Sequence, residues 1–127
     1  MFVLLYVILG CALGGSLRHG ISAWCAHHWP GDFPWGTLTV NLLGSFGIGL
    51  LAGAFFSLEG PQLEAWPLFL IGGFFGGLTT FSSMALQTFL LWKKAKRQLA
   101  LINTFANTVL PLLLAWAGFS LRVLLYA

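Results

Sequence analysis

The stretch Gly72-Gly73-Phe74-Phe75-Gly76-Gly77-Leu78-Thr79-Thr80-Phe81-Ser82-Ser83 decides how this chain is read. It lies at the centre of an apolar run from about Trp66 to Trp92, and about 20 such residues suffice to cross a bilayer. Two glycine pairs followed by paired threonines and paired serines make a poor continuous helix. At mid-membrane, irregular backbone is tolerated only where protein buries it or it lines a wet cavity. Helices broken this way turn freed carbonyls and N–H groups toward ions or substrates. The run therefore predicts a membrane helix broken at its centre, with a site at the break.

Working outward, three more apolar runs flank it, giving spans of about 2–24, 35–56, 66–92 and 99–126. The expected architecture is an all-α membrane protein, residues 1–127 forming one four-helix transmembrane domain. Of the 127 residues, 58% are hydrophobic and 7% charged, against about 25% charged in an average soluble domain; most of the surface must therefore face lipid. Residues 26–34 and 57–64 are rich in helix breakers and read as turns. Pro67 suits a first helical turn. Trp24, Trp29, Trp35, Trp66 and Trp92 fall at span ends, as an aromatic belt requires. The first run lacks a basic leader and reads as a retained helix rather than a cleaved signal. Cys11 and Cys25 have no metal-type spacing and read as structural thiols.

Charge placement excludes several functions. Asp32, Glu59 and Glu64 all fall in expected turns, so a mechanism that needs a carboxylate inside the membrane has none. No basic stripe suggests a nucleic acid partner. The basic cluster Lys93, Lys94, Lys96 and Arg97 predicts a cytoplasmic turn, with both termini outside.

The remaining polar residues sit at depth. Asn41 lies one turn after Thr37 in the second span, and Gln87 one turn after Ser83 in the third. Asn103 and Asn107 share a face of the fourth, with Pro111 a turn beyond. Each side chain fits an ordinary interhelical hydrogen bond. Together they supply amide and hydroxyl donors with no buried acid, which suits an anion better than a cation. Arg18, an expensive intramembrane charge, either snorkels to the interface or lines an anion vestibule. Phe81 sits between the threonine and serine pairs, and a phenyl edge is positive. A small, hard, hydrated anion is the permeant this set suggests; the residues alone leave its identity open.

Three motifs carry a resemblance. Gly10-x-x-x-Gly14-Gly15-x-x-Arg18, Gly36-Thr37-Leu38-x-x-Asn41-x-x-Gly44-x-Phe46-x-x-Gly49 and Gly73-x-x-Gly76-Gly77-Leu78-Thr79-Thr80-Phe81-Ser82-Ser83 are similar to the first three helices of the Fluc (CrcB-like) fluoride channels. The resemblance covers essentially the whole chain. It implies an antiparallel, dual-topology dimer with two pores, passing fluoride passively out of the cytoplasm across the cell inner membrane. It implies a structural, non-transported sodium ion at the dimer interface, held by the backbone carbonyls of Gly76 and Thr79 from both chains. It also implies pore roles for Asn41, Phe81, Ser82, Ser83, Asn103 and Asn107, and places Arg18 near a vestibule.

Two positions depart from the family pattern. Met84 stands where a second pore phenylalanine is usual, and Gln87 where glutamate is common. The strong charge bias of residues 93–97 also sits awkwardly with dual topology, and suits one half of a heterodimer with an oppositely inserted paralogue. A small multidrug-type exporter shares the size but needs a membrane carboxylate. An intramembrane enzyme lacks a catalytic constellation, since His19, His27 and His28 lie far from the polar centre of the third span. A non-conducting assembly subunit fits the departures and leaves the break without a purpose.

Overall fold

In lipid every backbone polar group needs an internal partner, and a helix supplies nearly all of its own. The computed structural model describes residues 2–56 and 65–126, and in it the apolar runs form four long helical rods. Helix α1 is Phe2–His28 and α2 is Trp35–Phe56. The third rod starts with α3, in which Ala65–Pro67, a π-helical stretch Leu68–Phe75 and a last turn Gly76–Leu78 run on without interruption. It continues as α4, Phe81–Lys93, and α5 is Arg97–Tyr126. Each rod is long and apolar enough to cross a membrane. The expected turn at 57–64, with Glu59 and Glu64, lies outside the described residues.

The ends differ slightly from expectation. α1 continues four residues beyond Trp24, because nothing before Pro30 stops it and the His28 ring stacks on Trp24 at 4.1 Å. α5 starts at Arg97, directly after a tight turn in which Ala95 takes a left-handed conformation, φ 58°.

Close glycine contacts set the packing. On α1, Gly10 and Gly14 face Gly73 and Gly77 of α3. A methyl group on Gly73 would come within 2.9 Å of Gly10 Cα, and one on Gly77 within 2.8 Å of Cys11 Cα. α2 meets α5 the same way: a methyl on Gly118 would lie 2.5 Å from the Phe46 carbonyl, and Gly49 abuts the Ala115 backbone. Small residues at matched spacing thus let two helix pairs approach backbone to backbone, where dispersion replaces the missing hydrophobic drive. The glycines of 72–77 therefore stay helical; Gly73 and Gly77 serve packing against α1, while Gly72 and Gly76 meet no neighbouring helix. The backbone leaves the helix only afterwards, at Thr79 (φ −78°, ψ 155°) and Thr80 (φ −153°, ψ 123°). Threonine is β-branched and tolerates extended geometry well.

Candidate functional site

Extended backbone at Thr80 needs hydrogen-bond partners that the helix no longer provides. Asn41 of α2 supplies both. Its Oδ1 accepts from the Thr80 N–H at 2.8 Å, and its Nδ2 donates to the Thr80 carbonyl at 3.0 Å. One side-chain amide thus pairs with Thr80 as a neighbouring strand would. Nδ2 also donates to Asn107 Oδ1 of α5 at 2.8 Å.

The amides continue as a relay. Asn107 Nδ2 donates to Asn103 Oδ1 at 2.9 Å and to the Asn103 carbonyl at 3.1 Å. Asn103 is 0% exposed, and its Nδ2 donates to Thr88 Oγ1 at 2.9 Å and the Met84 carbonyl at 3.4 Å. The relay ties the interruption in the third rod to α2 and α5 through buried polar contacts.

Thr80 also caps α4. Its Oγ1 accepts from the Ser83 N–H at 3.2 Å, and its hydroxyl donates to Ser83 Oγ at 3.0 Å, with Ser82 Oγ 3.4 Å away. A hydroxyl at this position satisfies one of the helix's orphan donors. The Thr79 hydroxyl and N–H both donate to the Phe75 carbonyl at 3.0 Å. The Thr79 carbonyl accepts from Arg18 Nη1 at 3.4 Å, so the Arg18 guanidinium is drawn to the interruption.

A cavity of about 390 Å³ opens here, lined among others by Asn41, Gly76, Thr79, Phe81, Met84 and Asn107. The structure thus gathers six residues that the sequence pointed to. Ser82 and Ser83 lie beside it in the first turn of α4, and Asn103 is buried one turn from Asn107 on α5. Phe81 is 76% exposed, its ring on the outer surface of the chain, whereas Met84 is 4% exposed. Met84 is tied down on both sides, its carbonyl to Asn103 and its sulfur to the Thr88 hydroxyl at 3.7 Å. Gln87 stands apart: it lines a second cavity of about 290 Å³ with Ser22, Asp32 and Thr37, and its Oε1 is buried without a hydrogen-bond partner among the described residues.

Sequence reasoning missed Ser45, Thr88, Thr104 and Pro111 as neighbours of the site. Thr88 lies one turn beyond Met84, receives the Asn103 amide and meets Thr104 Oγ1 at 3.3 Å. Pro111 lines the main cavity with Asn107, one turn before it. The Asn103/Asn107 spacing carried that signal along one face of α5.

Outside the membrane segments, Asp32 in the α1–α2 turn is ion-paired to Lys96 and lies 3.9 Å from Lys94 Nζ. The hydrogen bond from the Lys96 ammonium, together with its charge, holds the Asp32 carboxyl below the usual carboxylate range. Among the described residues no cluster of His, Cys, Asp or Glu is arranged to hold a metal ion.

Comparison with known proteins gives a consistent result. The family profile described as CrcB-like protein, Camphor Resistance (CrcB), matches residues 5–119. A fluoride-specific ion channel FluC of Thermus thermophilus is 45% identical over 117 residues, 92% of this chain and 91% of that protein. The protein of the same name from Pseudomonas putida is 46% identical over 117 residues, 91% of this chain and 92% of its own. Its namesake in Methylobacterium nodulans is 39% identical over 120 residues, 94% of each chain. With four helices able to cross a bilayer, the chain is a multi-pass membrane protein.

Proposed function

The chain belongs to the CrcB-like family, and from that premise we propose that it is a passive, fluoride-selective ion channel, not an enzyme, that lets fluoride leave the cytoplasm across the inner membrane. One observation carries the reading. The third rod is interrupted at Thr79–Thr80, and the interruption is held open by Asn41 beside a cavity that contains Phe81 and Asn107. Such a structure is costly in lipid and is retained where it serves an ion.

Fluoride is small and strongly hydrated, so it must exchange water for donors at every step. The chain offers the positive edge of the Phe81 ring, the hydroxyls of Ser82 and Ser83, and the positive end of α4. Asn41, Asn103 and Asn107 hold the shape of the path, and Arg18 brings a positive charge to its side. Met84 fills the place of a second ring without an aromatic edge.

Two copies in antiparallel arrangement complete the site. Phe81 is exposed on the single chain, and a methyl group on Gly76 would meet only the Ile71 carbonyl, at 3.5 Å. That open face leaves room for a hard cation to approach the Gly76 and Thr79 carbonyls, the oxygen ligands such an ion prefers. The Thr79 oxygen accepts one long bond from Arg18 and keeps a second lone pair. One chain gives two carbonyls, so sodium would need the same pair from a second chain. Its role there is structural: it neutralises carbonyl dipoles that the interruption leaves facing each other. A second reading, a subunit that needs an oppositely inserted paralogue, is favoured by the basic turn at 93–97, which biases insertion.

The test is fluoride efflux from liposomes containing this chain alone, followed with a fluoride electrode under potassium and valinomycin. Rapid efflux of fluoride and not chloride supports a channel made by two identical chains. Silence from well-folded protein, relieved by coexpression with a paralogue, supports the second reading. Silence in both arms refutes the channel.

A further inference from the structure

The turn between α4 and α5 is the strongest charge feature outside the site. Four cations, Lys93, Lys94, Lys96 and Arg97, fall within five residues where the two rods leave the membrane. The turn is rigid: the Lys94 N–H donates to the Leu90 carbonyl at 3.1 Å, the Lys96 N–H to the Leu91 carbonyl at 3.0 Å, and Ala95 is left-handed. Asp32 is the one side-chain carboxylate among the described residues, and it engages Lys96 and Lys94.

Lys93 and Arg97 are used differently. Lys93 Nζ lies 5.7 Å from the centre of the Phe89 ring, and Arg97 Cζ lies 5.2 Å from that of Trp92. Phe89 is 58% and Trp92 50% exposed, both near the end of α4. Cation–π contact holds each charge over an exposed apolar ring at the end of a membrane-length rod, and Asp32 engages Lys94 and Lys96 rather than these two.

We propose that Lys93 and Arg97 form a docking surface for the headgroup of an anionic phospholipid. The rings take the upper acyl chain while the cations take the phosphate, a division suited to a lipid and wasted on a free anion. Each cation near an anionic membrane surface strengthens association by about fivefold.

The test measures quenching of tryptophan fluorescence by dibrominated phosphatidylglycerol and dibrominated phosphatidylcholine, with the full chain in vesicles of each. The native chain should associate preferentially with phosphatidylglycerol. Lys93→Gln with Arg97→Gln should lower that association by about 25-fold, two cations at about fivefold each. Lys96→Gln should change it by less than about twofold, because Asp32 already engages that charge. Arg97→Lys should retain most of it. Should the double variant not fold, 0.5 M sodium chloride added to the native chain must remove the preference, where the Debye length falls to about 4 Å. Equal quenching by both lipids, or a preference that survives neutralisation or salt, overturns the proposal. So does loss of the preference to inorganic phosphate at matched ionic strength, which would mean a free-anion site.

Discussion

Replacing Asn41 by alanine tests the central structural argument. The substitution removes three hydrogen bonds, at 2.8, 2.8 and 3.0 Å. It strips partners from the Thr80 N–H, the Thr80 carbonyl and Asn107 Oδ1, all in buried residues. Interhelical hydrogen bonds in membrane proteins average about 0.6 kcal/mol and reach about 1.7, so three at the average give about 2 kcal/mol. Stranded polar groups add about 1–3 kcal/mol each when fully dry. The adjoining cavity admits water to part of this set, which limits the addition. The expected loss is about 2–4 kcal/mol. It is read from unfolding in mixed micelles of increasing sodium dodecyl sulfate, followed by tryptophan fluorescence. Hydrogen exchange supplies a local readout, since the Thr80 amide loses its acceptor and should exchange at least tenfold faster. Because Asn41 touches Asn107, the double variant with Asn107→Ala should fall short of additivity by about 0.5 kcal/mol or more. A loss under about 0.5 kcal/mol, with Thr80 exchange unchanged, would refute the idea that Asn41 carries the interruption.

Four further outcomes are expected. Gly49→Ala drives a methyl into the Ala115 backbone and should cost about 1–3 kcal/mol in the same unfolding assay, whereas Gly20→Ala meets open space and should be neutral or stabilising by up to about 1 kcal/mol. Thr80→Val keeps the β-branch but removes the cap of α4 and should cost about 1 kcal/mol. The depressed Asp32 carboxyl contributes stability that is present above its unfolded value of about 3.9 and fades as pH falls through the lower folded value; the thermal midpoint of native chain and Asp32→Asn should therefore differ at pH 6 and converge below about pH 4. In the liposome assay, Phe81→Ile should slow fluoride efflux at least tenfold, while Phe2→Leu, an exposed change at the start of α1, should leave it alone; equal rates for the two would refute the role given to the ring.

The four rods were legible because hydrophobic length is a one-dimensional property, and the ends that shifted did so where local contacts, such as His28 on Trp24, extend a helix past polar residues. The neighbourhood of Asn41, Asn107 and Phe81 was legible because polar residues at depth have few places to go. Two things were not. Sequence put the irregularity within the whole run 72–83, on the glycine pairs as much as on the threonines and serines, since all are weak helix formers. Gly73 and Gly77 instead face α1, where helical backbones must nearly touch, and a helix is what brings them there. The partner of Asn41 was out of reach for a related reason: sequence reads it as a donor or an interhelical bond, but only the fold reveals that Thr80, 39 residues away, takes both ends of its amide.

That dual engagement bears on how an anion meets the path. Both Nδ2 hydrogens of Asn41 are directed at protein acceptors, Thr80 and Asn107, and both of Asn103 at Thr88 and Met84. An anion bound directly at either amide must first displace one of these bonds, losing about 0.6–1.7 kcal/mol by the membrane scale. Phe81 and Ser82, both exposed on the single chain, carry no such debt on the ring edge or at the helix start. On the proposed channel reading, contact on the way through falls first to Phe81 and Ser82, and the amides act chiefly by keeping that part of the third rod extended. The division explains why the most buried polar residue, Asn103, lies furthest along the relay from the interruption: its task is to anchor the relay to α4. It also separates two classes of variant. Substitutions at Asn41 should lower stability and conduction together, whereas Phe81→Ile breaks no hydrogen bond and should lower conduction far more than stability. A Phe81 variant that loses stability as Asn41→Ala does but keeps its efflux would show that the ring serves packing, and would return the anion contact to the amides.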